Sequence, residues 1–171
     1  MTIETEHTLS GAGSDASCNH RTTDHNMIRI HEAGLDGRDL IVMQTARLFF
    51  ESFANPDGCG WMTALECPGL RYGQAHGSWV ATQVLACVQA MRKSRQSCFR
   101  FNSPHCTGCS QMLSEHERLF MQSFKALRQG RRTAANSFAV LLCEMNPVED
   151  FLDSLAKLVE LTDALDLEEV V

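Results

Sequence analysis

Hydrophobic side chains recur along this chain at spacings of three and four over several long windows, and at a spacing of two over only two short ones. Leu40, Ile41, Phe49, Phe50 and Phe53 follow near-helical spacing and stop at Asn55-Pro56, which predicts a first helix over about 38–54. Val80, Val84, Cys87, Val88 and Met91 form a second stripe over about 75–93, with Cys87 expected in the core. A third helix starts after Ser114, which with Glu117 matches a capping box, and carries Leu119, Phe120, Phe124 and Leu127 toward Gly130. Phe138, Val140, Leu141 and Leu142 mark a fourth over about 133–145. Asn146-Pro147-Val148-Glu149 then gives a cap, a first-turn proline and an early acid. The fifth helix follows, with Phe151, Leu152, Leu155, Leu158, Val159, Thr162 and Leu165 on one stripe and acids on the other side.

The two alternating windows are Ile28-Arg29-Ile30 and Cys98-Phe99-Arg100-Phe101-Asn102, short enough to give at most a minor strand pair. Between the first two helices, residues 55–77 are rich in Gly and Pro, and Trp61, Met62 and Leu65 suffice for one short helical turn. Gly34-Leu35-Asp36-Gly37 reads as a turn, because no P-loop lysine and no dinucleotide fingerprint accompany it. The fold class expected is therefore mostly α: a small helical domain of about five helices over 27–171, with a minor extended segment. Residues 1–26 contain only Ile3 and Leu9 as aliphatic residues larger than Ala and are expected to form a disordered tail. Its His7, Cys18, His20 and His25 are scattered potential ligands for a transition metal.

The 171 residues suit one compact domain large enough to bury a core without staples. No apolar run approaches the roughly 18 residues of a membrane helix. The acidic start Met1-Thr2-Ile3-Glu4-Thr5-Glu6 lacks the basic and apolar regions of a signal peptide, and Ser17-Cys18 lacks the apolar lead-in of a lipidated cysteine. A cytoplasmic location is expected, where eight cysteines would not be held as four disulfides.

Three of those cysteines share one loop. Cys98, Cys106 and Cys109 are spaced C-x(7)-C-x(2)-C, and the C-x(2)-C element sits in the Pro- and Gly-containing run Ser103 to Cys109 ahead of a helix. Two thiolates three residues apart can chelate one ion at about 2.3 Å, with Gly108 expected to let the backbone fold back toward the sulfurs. A turn at Ser103-Pro104 must return Cys98, which lies up to about 27 Å from Cys106 in an extended chain. Candidates for a fourth ligand are His105, His116 and Cys143. Zinc is the first choice for such a ligand set, and an iron–sulfur cluster the alternative. Cys59 and Cys67 repeat the C-x(7)-C spacing, which is read as chance.

The same C-x-x-C admits a redox reading, as a thiol sensor or oxidoreductase, since a helix N-terminus favours the thiolate. The predicted helix starts about five residues beyond Cys109, however, and no βαβ pattern surrounds the loop. Charge adds a third reading. Residues 92–132 hold nine basic and two acidic groups, whereas 133–171 hold one and nine, so a basic middle flanks the cysteine loop. It suits nucleic acid or an acidic protein, or internal pairing with the acidic fifth helix. Enzyme signatures are scarce: no H-E-x-x-H or G-x-S-x-G occurs, and Ser114-Glu115-His116-Glu117 reads as a capped helix start. The residues thus point to a metal-binding regulatory or adaptor protein with a protein partner, rather than to an enzyme.

Overall fold

The computed structural model describes residues 27–168, so the expected disordered tail lies outside the described residues. Six helices run in chain order: α1 (Gly37–Ala54), α2 (Gly60–Glu66), α3 (Gly69–Ser94), α4 (Glu115–Arg128), α5 (Arg132–Leu142) and α6 (Glu149–Glu168). One more helix forms than the apolar pattern predicts, because the turn around Trp61, Met62 and Leu65 extends to seven residues as α2.

Local signals set most of the boundaries. Asp36 opens α1 by accepting the Asp39 amide at 2.9 Å, while the Asp39 carboxylate accepts the Asp36 amide at 3.1 Å. This reciprocal cap gives the Gly34–Gly37 turn a structural role. In α3, Gly73 takes φ 71° and ψ 163°, which breaks the first turn from the main helix and leaves regular structure where the apolar stripe begins. That leading turn folds back so tightly that a Cβ on Gly77 would lie 2.5 Å from the Gly69 nitrogen. α5 stops at Leu142, short of the expected residue 145, because Glu144 and Met145 adopt φ values of 57° and 65°. Left-handed backbone at two successive non-glycine residues ends a helix. The Met145 amide then returns to the Val140 carbonyl at 2.9 Å.

The helices bury one continuous core. Val42 and Phe49 of α1, Val84 and Val88 of α3, Phe120 and Phe124 of α4, and Phe151, Leu155 and Leu158 of α6 are all essentially inaccessible. α3 packs most extensively on α6, and α4 on α5. Truncating a buried phenylalanine such as Phe120 costs about 3–5 kcal/mol in cores of this kind. No helix among the described residues is long and apolar enough to cross a membrane.

A two-stranded antiparallel sheet ties the start of the described chain to the segment just ahead of α4. β1 (Ile28–Arg29) pairs with β2 (Met112–Leu113) in the register Ile28 to Leu113 and Arg29 to Met112. The window from Cys98 to Asn102 is extended but joins no sheet. α6 packs on α4, and its Asp163 acts electrostatically on Arg128 of the basic middle. Asp163 and Asp166 also hold Arg38, and Asp166 holds Arg71 at 3.0 Å. The basic middle meets the C-terminal block at Arg95 and Glu144, 3.1 Å apart, and meets α1 through Arg128 with Asp36 and Asp39.

Candidate functional site

The cysteine loop is built outward from one buried ion pair. Arg47, in the middle of α1, and Glu117, in the first turn of α4, are 1% and 0% exposed, with Arg47 Nε 2.7 Å from Glu117 Oε1. Charges this deep persist only when their remaining hydrogen-bonding capacity is met. Glu117 accepts the amides of Ser114 (2.7 Å) and Asn102 (3.0 Å) and the Asn102 side-chain amide at 3.2 Å. Arg47 donates to the carbonyls of Ser110 (2.8 Å) and Met112 (2.5 Å). Asn102 precedes the loop and Ser110 follows it, so both ends of residues 103–109 are fastened to the same buried pair.

The approach to the loop is fixed by side-chain alternation. Phe99 stacks on Phe50 with ring centroids 4.0 Å apart, and Phe101 lies 5.8 Å from the same ring. Cys98 and Arg100 are consequently exposed. The Arg100 amide donates to His116 Nδ1 at 2.9 Å, and the Ser114 hydroxyl donates to the Arg100 carbonyl at 2.7 Å. Side chains from the cap and first turn of α4 thus hold this extended segment in place.

Within the loop, the Cys106 and Cys109 sulfurs stand 2.8 Å apart. The Cys109 amide points at Cys106 Sγ, 3.3 Å away, and the Ser110 amide donates to the Cys106 carbonyl at 2.8 Å. Residues Cys109–Gln111 form a single 3-10 turn before β2. Gly108 does not supply the conformational freedom expected of it. Its φ of −77° and ψ of −46° are ordinary for any residue, and a Cβ there would meet nothing within 4 Å. The turn comes instead from the Cys106–Ser110 hydrogen bonds and the Arg47 anchor.

The other candidate ligands take separate places. Cys143 is fully buried where α5 ends, and burial pushes its thiol up from the ordinary range, with Ser94 as its hydrogen-bond partner. His105 Nε2 lies 2.9 Å from Glu51 Oε2 on α1. His116 has its Nδ1 occupied by the Arg100 amide, and burial, followed by Arg95 and Arg100, lowers its pKa and keeps the ring neutral. Cys98 opens onto a shallow cleft of about 330 Å3 with Phe50, Phe53, Arg92, Arg95 and Phe99. Among the described residues, no group of three or more His, Cys, Asp or Glu side chains stands close enough to hold a metal ion. The structure therefore brings Cys106 and Cys109 together out of the six and leaves Cys98, His105, His116 and Cys143 outside any such group.

Cys59 and Cys67 bracket α2 at its two ends. Eight helical steps separate them by about 12 Å, too far for one ion to bridge. Cys87 is fully buried in the core, where desolvation raises its thiol pKa strongly. Arg47 and Asn102, which fasten the loop, carry no motif. Arg47 is nevertheless marked by its setting, a lone charge between Ala46 and Leu48 in a run leading to Phe49 and Phe50. No family model matches the sequence, and no curated protein or solved structure matches it.

Proposed function

We propose that this chain is a metal-binding regulatory or adaptor protein of a reducing compartment, in which Cys106 and Cys109 are the anchoring thiolates of a zinc site. The observation that carries this reading is the pairing of the two sulfurs at 2.8 Å, with the Cys109 amide directed at Cys106 Sγ. Two adjacent thiolates repel one another, and a divalent cation between them removes that cost. Zinc–sulfur bonds of about 2.3 Å at tetrahedral angles require sulfurs about 3.8 Å apart, a small side-chain rotation from the observed positions. Anchoring at Arg47 and Glu117 keeps the loop from collapsing onto the core, so both sulfurs stay partly accessible to an ion. The site's place on the surface supports the regulatory reading, since an ion bound there would stand where a protein partner can reach it.

The test is elemental analysis and melting of the full chain, purified anaerobically with a non-chelating reductant. About one zinc per chain is expected, with loss of the ion and a lower Tm in Cys106→Ser, because binding energy at a structural site is folding energy. Unchanged metal content and Tm in that variant, or wild-type protein that takes up no metal, would overturn the reading. Iron in place of zinc would assign a cluster instead.

The short sulfur–sulfur approach also favours a second reading, a dithiol switch. In it Cys106 and Cys109 lose two protons and two electrons to a peroxide or a disulfide, and an S–S bond forms. A reversible mass loss of two hydrogens on mild oxidation, absent in Cys109→Ser, distinguishes it.

A further inference from the structure

We infer that the cleft beside Cys98 is a binding site for a small organic anion carrying a flat ring, with Arg92 receiving the charge and phenylalanines bedding the ring. The inference is independent of the metal reading of the cysteine loop, because neither Cys106 nor Cys109 takes part in it. Three parts of the chain build the cleft. Phe50 and Phe53 come from the end of α1, Arg92 from the last turn of α3, and Arg95, Phe99 and Phe101 from the segment that follows α3. Its volume of about 330 Å3 falls at the small end of the range for ligand sites.

Rings and guanidinium groups face one another in these walls. The Arg92 guanidinium lies 3.9 Å from the centre of the Phe53 ring, and that of Arg95 lies 5.9 Å from the centre of the Phe99 ring. A guanidinium laid on a ring presents its N–H groups along its edge, the geometry that recognises a carboxylate, sulfonate or phosphate. Arg92 is exposed and uses one N–H on Gln89, 3.3 Å away, which leaves donors for a ligand. The Arg95 side chain is 3% exposed and bonds to Leu142, Ser97 and Glu144, yet its Nε meets no acceptor among the described residues. A buried donor left unmet is destabilising, and a ligand oxygen set against Arg95 is an acceptor that the chain does not supply. The walls also fix the sign of the charge. No Asp or Glu lines this cleft, whereas two others that share Arg95, of about 370 and 420 Å3, include Glu149 and Asp150 or Glu115 and Glu144. Glu144 balances Arg95 at 3.1 Å, so the net charge in the walls is that of Arg92. The carbonyl ends of α1 and α3 oppose an anion, but the Asn55 and Arg95 amides cover the Glu51 and Met91 carbonyls, and Arg92 itself offsets the dipole of α3.

Anilinonaphthalene sulfonate, an aromatic anion, tests this on the full chain, with uncharged phenylnaphthylamine as its counterpart and two exposed cysteines as position markers. The sulfonate should bind one site per chain and slow maleimide labelling of Cys98, which lines the cleft, while leaving labelling of Cys59 unchanged. Arg92→Gln should weaken the sulfonate about three- to fivefold, the scale of an exposed charge contact, and change the uncharged probe by less than about twofold. Added salt should act on the wild type in the same sense. Equal binding of the two probes, or sulfonate binding that neither Arg92→Gln nor salt alters, would overturn the preference for an anion. Bound sulfonate with Cys98 labelled at its original rate would put the probe elsewhere and overturn the site, as would the absence of saturable binding.

Discussion

Replacing Arg47 with Met tests whether the loop is held from beneath. Methionine keeps most of the side-chain volume and apolar contact, so the change isolates the charge and its hydrogen bonds. The variant leaves Glu117 fully buried with the Ser114 amide and the two Asn102 donors, and it strands the Ser110 carbonyl. Met112 keeps a donor in the Asn102 side chain at 2.9 Å. Breaking a buried pair by removing one partner costs about 3–5 kcal/mol. The three surviving donors to Glu117 pull toward the low end, and the stranded carbonyl adds back about 1 kcal/mol. Domains of this size lose about 2–4 °C of Tm per kcal/mol, so a drop of roughly 6–20 °C is expected. Urea unfolding followed by circular dichroism, with an unchanged m-value, gives the free energy directly. Glu117→Gln and the double variant close a cycle, and the double should cost clearly less than the sum of the singles. In hydrogen exchange, the amides of Cys109 and Ser110 should lose protection before those of α6. An Arg47→Met cost below about 1 kcal/mol, or additive singles, would refute the account of a loop fastened to a buried ion pair.

Other expectations follow from the same contacts. His116 has a folded pKa below its ordinary 6.5, so its neutral form contributes stability that is full above pH 6.5 and is lost as pH falls from there through the folded value. Urea midpoints at pH 7.5 and 5.5 should differ more for wild type than for His116→Asn. Ser114 caps α4 by accepting the Glu117 amide at 3.2 Å and also donates to the Arg100 carbonyl, so Ser114→Ala should cost about 1–2 kcal/mol by chemical denaturation. Maleimide labelling of the native chain followed by peptide mapping should modify exposed Cys59 and Cys98 rapidly and reach buried Cys87 and Cys143 only as the fold opens.

The parts of this fold that are legible in the sequence are those governed by local periodicity and capping. Val80 to Met91 and Phe151 to Leu165 bury the faces their spacing defines, and Ser114 with Glu117 forms the capping box its spelling implies. What escaped depends on contacts distant along the chain. Arg47 and Glu117 are 70 residues apart, and no local rule joins a charge in one helix to the capping acid of another. Glu117 illustrates why the site was only half readable. Its sequence neighbourhood explains the bond to the Ser114 amide, but the same carboxylate also receives Asn102 and Arg47, and those bonds position the cysteines. The end of α5 shows the converse. Cys143 and Met145 prolong the apolar spacing of α5, yet Glu144 between them turns left-handed and places its carboxylate on the Gln96 amide, 2.9 Å away, at the start of the segment leading to Cys98. Spacing of ligands therefore identified the pair that sequence separation alone can close, Cys106 with Cys109. It could not decide the partners that require folding to arrive.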